Sequence, residues 1–395
     1  MATYPVKYIN NDMRGAPVLS GTAGALISVL DAFLITGFGQ VTALSVTVSG
    51  GIATASLQAG QSFNKDCVVL VDGATPAALN GEQRVLTASN SAITWATTAS
   101  DGAATGTITI KVAPVGGWEK KFTGTNKAVY RSTDLQASGF CVRIDDTGTL
   151  TARIRGFESM TDVDTGSGPF PTDAQISGGG YVYKSGVASG TAVRYDMIAD
   201  SRTLLMAIGV GSAANAANIA SPIRGFGDML PLRPAGDVYS FAISASATAG
   251  GYSGSTYPYG AFDTQGTGGA DAIYCPRPVG GIGGSQQTMA VAYVGGNVTS
   301  GADLTLGVFP SPVDGELKYA ARFLRDGATN VPRANVPGVL HVPQSGVASL
   351  ISARDTLDGT GALAGRKLVA LAVTSSGVGQ THNGIALVDI TGPWR

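Results

Sequence analysis

Few residues of this chain have types that could do chemistry: two histidines, three cysteines and a handful of neighbouring carboxylates. His341 and His382 lie far apart in polar, loop-like contexts. A serine nucleophile would need one of them beside a strained turn, and no G-x-S-x-G stretch offers such a turn. Cys67, Cys141 and Cys275 are odd in number and lie outside any C-x-x-C or Cys/His spacing. They point to neither a disulfide framework nor a zinc site, and read as small buried hydrophobes in a reducing compartment. Asp145 and Asp146 fall in a predicted hairpin turn, where aspartate bonds its own backbone. Asp162 and Asp164 precede Gly166 in the manner of a calcium loop, but the ligand at the fifth position and the glutamate at the twelfth are missing. A turn is expected there, with bound calcium as the alternative. Phosphate-binding and dinucleotide-binding loops are not found. The chain is expected to have no catalytic residue, no cofactor and no metal, and not to be an enzyme.

Composition points elsewhere. Only 13% of the 395 residues are charged, the formal net charge is -1, and 44% are hydrophobic. A free-floating globular protein keeps about 25% charged residues and a net charge away from zero. Disorder needs low hydrophobicity and high net charge, and neither is present. Much of the surface is therefore expected to meet other subunits. Lysine and arginine are scattered singly, which argues against nucleic acid as a partner. The apolar stretch 23–38 is broken by Gly24, Asp31 and Gly37 and is shorter than the ~20 residues of a membrane span. Residues 1–11 lack the apolar core of a secretory signal.

The positioning elements are mostly strands. One amphipathic helix is predicted from Leu26, Ile27, Leu30, Phe33 and Leu34, with N-cap candidates at 20–23 and Gly37 as its stop. Short strands follow at 44–48, 52–57, 67–71, 84–87, 93–97 and 107–112, separated by glycine turns. Six strands in so short a span suggest a small barrel. Hairpins are expected at 141–144 with 150–154 and at 195–199 with 203–210. Further strands are expected at 288–294, 304–309, 367–373 and 385–390. The proline-rich run 331–343 reads as an extended connection, and 224–234, which mixes apolar residues with two prolines and has Arg224 and Arg233 at its ends, reads as a domain junction. The fold class is all-β, with sandwich or barrel domains and one N-terminal helix. The expected organisation is 1–41 as the helical part of a first domain, 42–112 as an inserted barrel, 113–235 as the rest of that domain, and 236–395 as a C-terminal sandwich-like domain.

The segments at 53–57, 60–63, 68–73, 79–81 and 84–87, with Asn80-Gly81 at a turn, resemble a small β module. That module is the first catalytic-cysteine half-domain of ubiquitin-activating enzymes, which recurs in tailed-bacteriophage virion proteins. The segments 117–132, 155–162 and 389–395 are similar to structural proteins of tailed phages. The resemblance implies a virion protein assembled in the bacterial cytoplasm, with other virion proteins and copies of itself as partners. It implies no ubiquitin chemistry. A tail position near the tip or baseplate is the first expectation; a head decoration protein or a fibre-like adhesin binding host surface glycan is the alternative. Enzymatic tail spikes carry parallel β-helix repeats, and no fixed period of about 20–50 residues is present.

Candidate contacts come from rings rather than charges. Tyr252, Tyr257, Tyr259 and Phe262 sit among glycine and serine, the composition of adaptable binding loops. They could stack on sugars, pack into a neighbouring subunit or fold back on their own domain. Trp394, one residue from the end, needs a cover, so the C-terminus is expected to be anchored.

Overall fold

Apolar alternation with glycine turns is realised as three antiparallel sheets and one short N-terminal helix. The computed structural model describes residues 4–209, 221–249, 260–263, 273–295, 303–373 and 384–395. Among them, no helix is long and apolar enough to cross a membrane.

The first sheet has eight strands and curls into a half-barrel. Its long strand, Phe38–Ser49, pairs on one side with Ile52–Leu57 and on the other with Thr109–Val112, so the entering and leaving ends of the unit lie side by side. Ala53, Ala55 and Leu57 point inward on alternate positions against Ile93 and Trp95. Asn80 differs from the expected two-residue turn. It ends the 3-10 turn Ala77–Leu79, and its amide bonds both the N–H and the carbonyl of Ala74 at 2.8 Å. Gly81, at φ 95°, then opens the strand Gly81–Arg84.

A six-stranded sheet follows, from Trp118–Gly124 to Gly166–Phe170. It contains the hairpin Cys141–Asp145 with Thr151–Met160, close to the expected bounds.

The third and largest sheet has thirteen strands. It starts at Lys7–Asn10, passes through Tyr195–Ala199, Thr203–Ile208, Ile223–Asp228, Phe241–Ser244 and Ile273–Cys275, and continues through Gln286–Ala292 and Ala320–Asp326. Pro332–His341, Gly384–Asp389, Lys367–Val373 and Thr356–Asp358 carry it to its far edge, and the short Leu230–Pro231 pairs with Pro332–His341 off this path. Thr203–Ile208, Ile223–Asp228 and Gly384–Asp389 are buried along their whole length, which is why their sequences run apolar without strict alternation. One face packs into the core shared with the helix and the two smaller sheets. At the far end, Leu340, Val342, Leu368, Ala370 and Leu387 form a second core on the opposite face, beneath Phe309, Leu317 and Leu357.

Three expectations change here. The boundary placed at 235/236 falls between neighbouring strands of this sheet, since Gly225 pairs with Ser244, and the supposed junction at 224–234 begins as a buried central strand. The run 331–343 contains the ten-residue strand Pro332–His341. Its prolines fit because Pro332 is the first strand residue and Pro337 lies where the register against Ala320–Asp326 shifts, so neither must donate to a regular ladder. Residues 304–309 form no regular strand. They run beside 343–345 through Leu306 N–H to the Pro343 carbonyl at 2.8 Å and Phe309 N–H to the Ser345 carbonyl at 2.9 Å.

The helix Ala25–Asp31 continues as a π turn, Ala32–Thr36, and stops at Gly37 with φ 71°. Its apolar residues are buried as the spacing requires, but its cap is not local. Gly24 occupies the N-cap, and the carboxylate of Asp146 accepts the Leu26 and Ile27 N–H groups at 2.7 and 3.2 Å. The Lys184 ammonium bonds the other Asp146 oxygen and the Thr22 carbonyl, and both charged side chains are fully buried. Asp145 does what was expected of the pair, accepting from the Thr147 N–H at 3.2 Å. Asp146 instead locks the helix to the middle sheet. Asp146→Ala leaves a buried ammonium without its counter-charge and should cost about 3–5 kcal/mol. Asp145→Ala loses a partly exposed pair with Arg143 and should cost about 1 kcal/mol or less. Urea unfolding of the two variants checks the contrast.

Candidate functional site

A buried group of ionisable side chains lies against the largest sheet. His341 ends the strand Pro332–His341, and its Nε2 is 2.8 Å from a carboxylate oxygen of Asp303. Its Nδ1 is 3.3 Å from Nη2 of Arg322, a fully buried side chain. Arginine can only donate, so Nδ1 accepts and Nε2 carries the proton given to Asp303. Burial, with Arg322 beside the ring, pushes the imidazole down to about 4. Burial also pushes the Asp263 carboxyl up to about 6 and the Arg322 guanidinium down to about 10, and Asp263 and Asp303 are the counter-charges that oppose the shift in Arg322. Gly295 closes the site, for a Cβ there would stand 2.3 Å from Asp303 Oδ2 and 2.7 Å from His341 Nε2.

This corrects the picture of His341 as a loop residue without partners. Its partners lie 19 and 38 positions away: Arg322 meets it through strand pairing, and Asp303 from a segment outside the strands. The ring's two nitrogens are both engaged, so it could take a proton from a nucleophile only by giving up Arg322. The cluster is arranged to neutralise buried charge. His382 lies outside the described residues.

The other candidates take ordinary roles. The three cysteines are free and buried, and burial raises each thiol, that of Cys67 to about 12, so none is poised as a thiolate. Asp162 accepts the N–H groups of Asp164 and Thr165, both at 2.7 Å, as a turn aspartate does. Asp164 faces Lys127 and Arg143. Among the described residues, no three His, Cys, Asp or Glu side chains gather as a metal site would need. A second charged node was not foreseen. Arg354, at φ 78°, joins Asp196, Asp12 and Asn11, and so ties the last third of the chain to the strand Tyr195–Ala199 and to the turn after Lys7–Asn10.

Of the candidate contact residues, Tyr252, Tyr257 and Tyr259 lie outside the described residues. Phe262 is fully buried in its own chain, with its N–H bonded to the Ile223 carbonyl at 2.7 Å. Trp394 is likewise covered from within. Its indole N–H donates to the Asp389 carbonyl at 3.0 Å, and the ring lies over Gly338, where a Cβ would come within 2.5 Å. Arg395 reaches Thr203 Oγ1 at 2.8 Å and the Asp228 carbonyl at 2.9 Å. The C-terminus is anchored as expected, but by its own sheet, so neither Phe262 nor Trp394 is free to meet a neighbour.

The exposed large apolar residues are elsewhere. Leu304, Leu306, Val308, Val313 and Leu350 are exposed beside one end of Pro332–His341. Leu232 and Val331 are exposed toward the other end, in a groove of about 450 Å³ lined by Leu232, Val279, Val331 and Arg233, and Ile282 is exposed as well. No family model matches the chain, and neither a curated protein nor a solved structure is similar to it.

Two outcomes follow. The folded pKa of His341, about 4, lies below its ordinary 6.5, so the native state binds fewer protons than the unfolded chain between these values. Its contribution is present above pH 6.5 and is lost as the pH falls to 4. The stability deficit of His341→Gln relative to the native chain should therefore shrink by about 3 kcal/mol from pH 7 to pH 4. Asp263, raised from 3.8 to about 6, has the opposite sign, and the deficit of Asp263→Asn should grow over the same interval. Denaturant titrations at the two pH values check both. Trp394→Ala, which empties a covered indole site, should cost about 3–5 kcal/mol in the monomer. Thermal unfolding of the isolated chain measures it.

Proposed function

We propose that this chain is a structural subunit of a tailed-phage virion that acts by assembling into a multimer, in the tail near its tip or baseplate. The carrying observation is the pairing of sparse charge with exposed apolar side chains. Only 13% of residues are charged, and Val313 and Ile282 are 91% and 86% exposed on separate parts of the molecule. Large apolar side chains left this exposed are what a surface awaiting a partner would present. The half-barrel, whose two ends enter and leave at paired strands, carries the segments that resemble the small module of phage virion proteins. On this reading it is a small barrel set on a larger sandwich-like body. Its partners are copies of itself and other virion proteins, and the buried charge clusters have structural roles rather than enzymatic ones.

The alternative is a head decoration protein or an adhesin that binds host glycan, favoured by the tyrosine-rich composition around Tyr252, Tyr257 and Tyr259. Mass spectrometry of particles purified from the strain carrying the gene, with antibody labelling of intact and dissociated particles, tests both readings. The protein is expected in particles at many copies and on isolated tails. Label confined to heads supports the alternative, and absence from particles refutes both.

A further inference from the structure

Two exposed apolar surfaces of this chain differ in shape and lie at opposite ends of one strand. The ribbon 304–313 presents Leu304, Leu306, Val308 and Val313, followed by the exposed acids Asp314 and Glu316. It is fixed beside the His341 end of Pro332–His341 by its bonds to Pro343 and Ser345. The groove lies at the Pro332 end, walled by Leu232, Pro278, Val279 and Val331, with Arg233 at its rim. The Arg233 side chain is exposed and has no ion-pair partner among the described residues. At about 3.3 Å per residue, ten strand residues set the two surfaces on the order of 30 Å apart, too far for one to fold onto the other within a molecule.

The surfaces are complementary. One is an exposed apolar ribbon ending in two carboxylates that share a single lysine, Lys318, at 2.5 and 2.7 Å. The other is a concave, mainly apolar slot that Asp326 and Arg333 also line, with the Arg233 guanidinium unpaired among the described residues. A net charge of -1 on the whole chain sets little repulsion against two copies meeting. We propose that the ribbon of one protomer seats in the groove of the next, with Asp314 and Glu316 against Arg233, so that copies associate head to tail. Such a contact uses different surfaces on the two partners. It therefore propagates to a ring if the rotation closes and to a filament if it does not. The inference rests on the reading of this chain as an assembly subunit and specifies how its copies meet.

The test uses the purified full chain in sedimentation velocity over rising concentration. The native chain is expected to form oligomers larger than dimers. Val313→Asp, on the ribbon, and Val331→Asp, in the groove, alter exposed positions, and circular-dichroism melts check that both fold. Each variant alone is expected to stay monomeric. Mixed one to one, the Val331→Asp ribbon meets the Val313→Asp groove, and a heterodimer that grows no further is expected. Arg233→Glu should weaken association about fivefold, the size of one surface ion pair, and combining it with Asp314→Lys and Glu316→Lys should recover it. A native chain that is monomeric throughout, a variant that assembles like the native chain, or a mixture that stays monomeric overturns the head-to-tail contact. Mass spectrometry of purified particles reports on the virion reading separately. Protein present in particles while the mixing test fails removes only the head-to-tail contact, whereas its absence removes the virion reading itself.

Discussion

Both faces of the central strands in the thirteen-stranded sheet are covered, and that burial constrains the rest of the molecule. A charge in such a layer has no water to solvate it, so each one must meet a counter-charge inside the protein. Arg333 is paired with Asp237 at 2.8 Å with both side chains essentially unexposed, Arg322 lies among Asp263, Asp303 and His341, and Arg395 faces Asp200. These pairs add little net stability over apolar residues of the same size. They raise the penalty for any other arrangement of the strands, because a slipped register would leave a charge buried alone.

The same logic joins the parts of the chain. Lys7, in the first strand of the large sheet, reaches Glu82 of the half-barrel at 2.5 Å, and Arg84 of the half-barrel reaches the Ile390 carbonyl near the C-terminus. Arg354 meets Asp196 and the N-terminal segment, while Asp146 and Lys184 fix the helix. Polar pins at the junctions and apolar packing within each layer make one connected body. Large apolar side chains such as Val313 and Ile282 remain exposed in segments outside the strands.

Chemistry was read from the sequence with mixed success, for a physical reason. The cysteines are buried thiols, and Asp145 and Asp162 bond their own backbone, because a turn aspartate depends on residues two or three places away. His341 was misread because its polar neighbours in sequence are not its neighbours in space. Nothing local in 331–343 announces a strand either, since its prolines are admitted only by a register shift in the pairing with Ala320–Asp326. The tyrosines of the 252–259 segment lie outside the described residues, while Phe262, grouped with them by composition, is a core residue.

The sequence by itself determined the all-β character, the strands at Ile52–Leu57, Tyr195–Ala199 and Lys367–Val373, the apolar face of the helix and its stop at Gly37. Each depends on periods of two or 3.6 residues or on one backbone angle, and these are written in consecutive positions. Tertiary structure alone decided that a carboxylate 120 positions away caps the helix, that burial and Arg322 hold His341 neutral against the pull of Asp303, and that Trp394 closes over Gly338. It also decided that the residues on either side of 235 share one sheet. These outcomes depend on which strands become neighbours. Strand order is set by the burial of the whole sheet, and no local pattern encodes it.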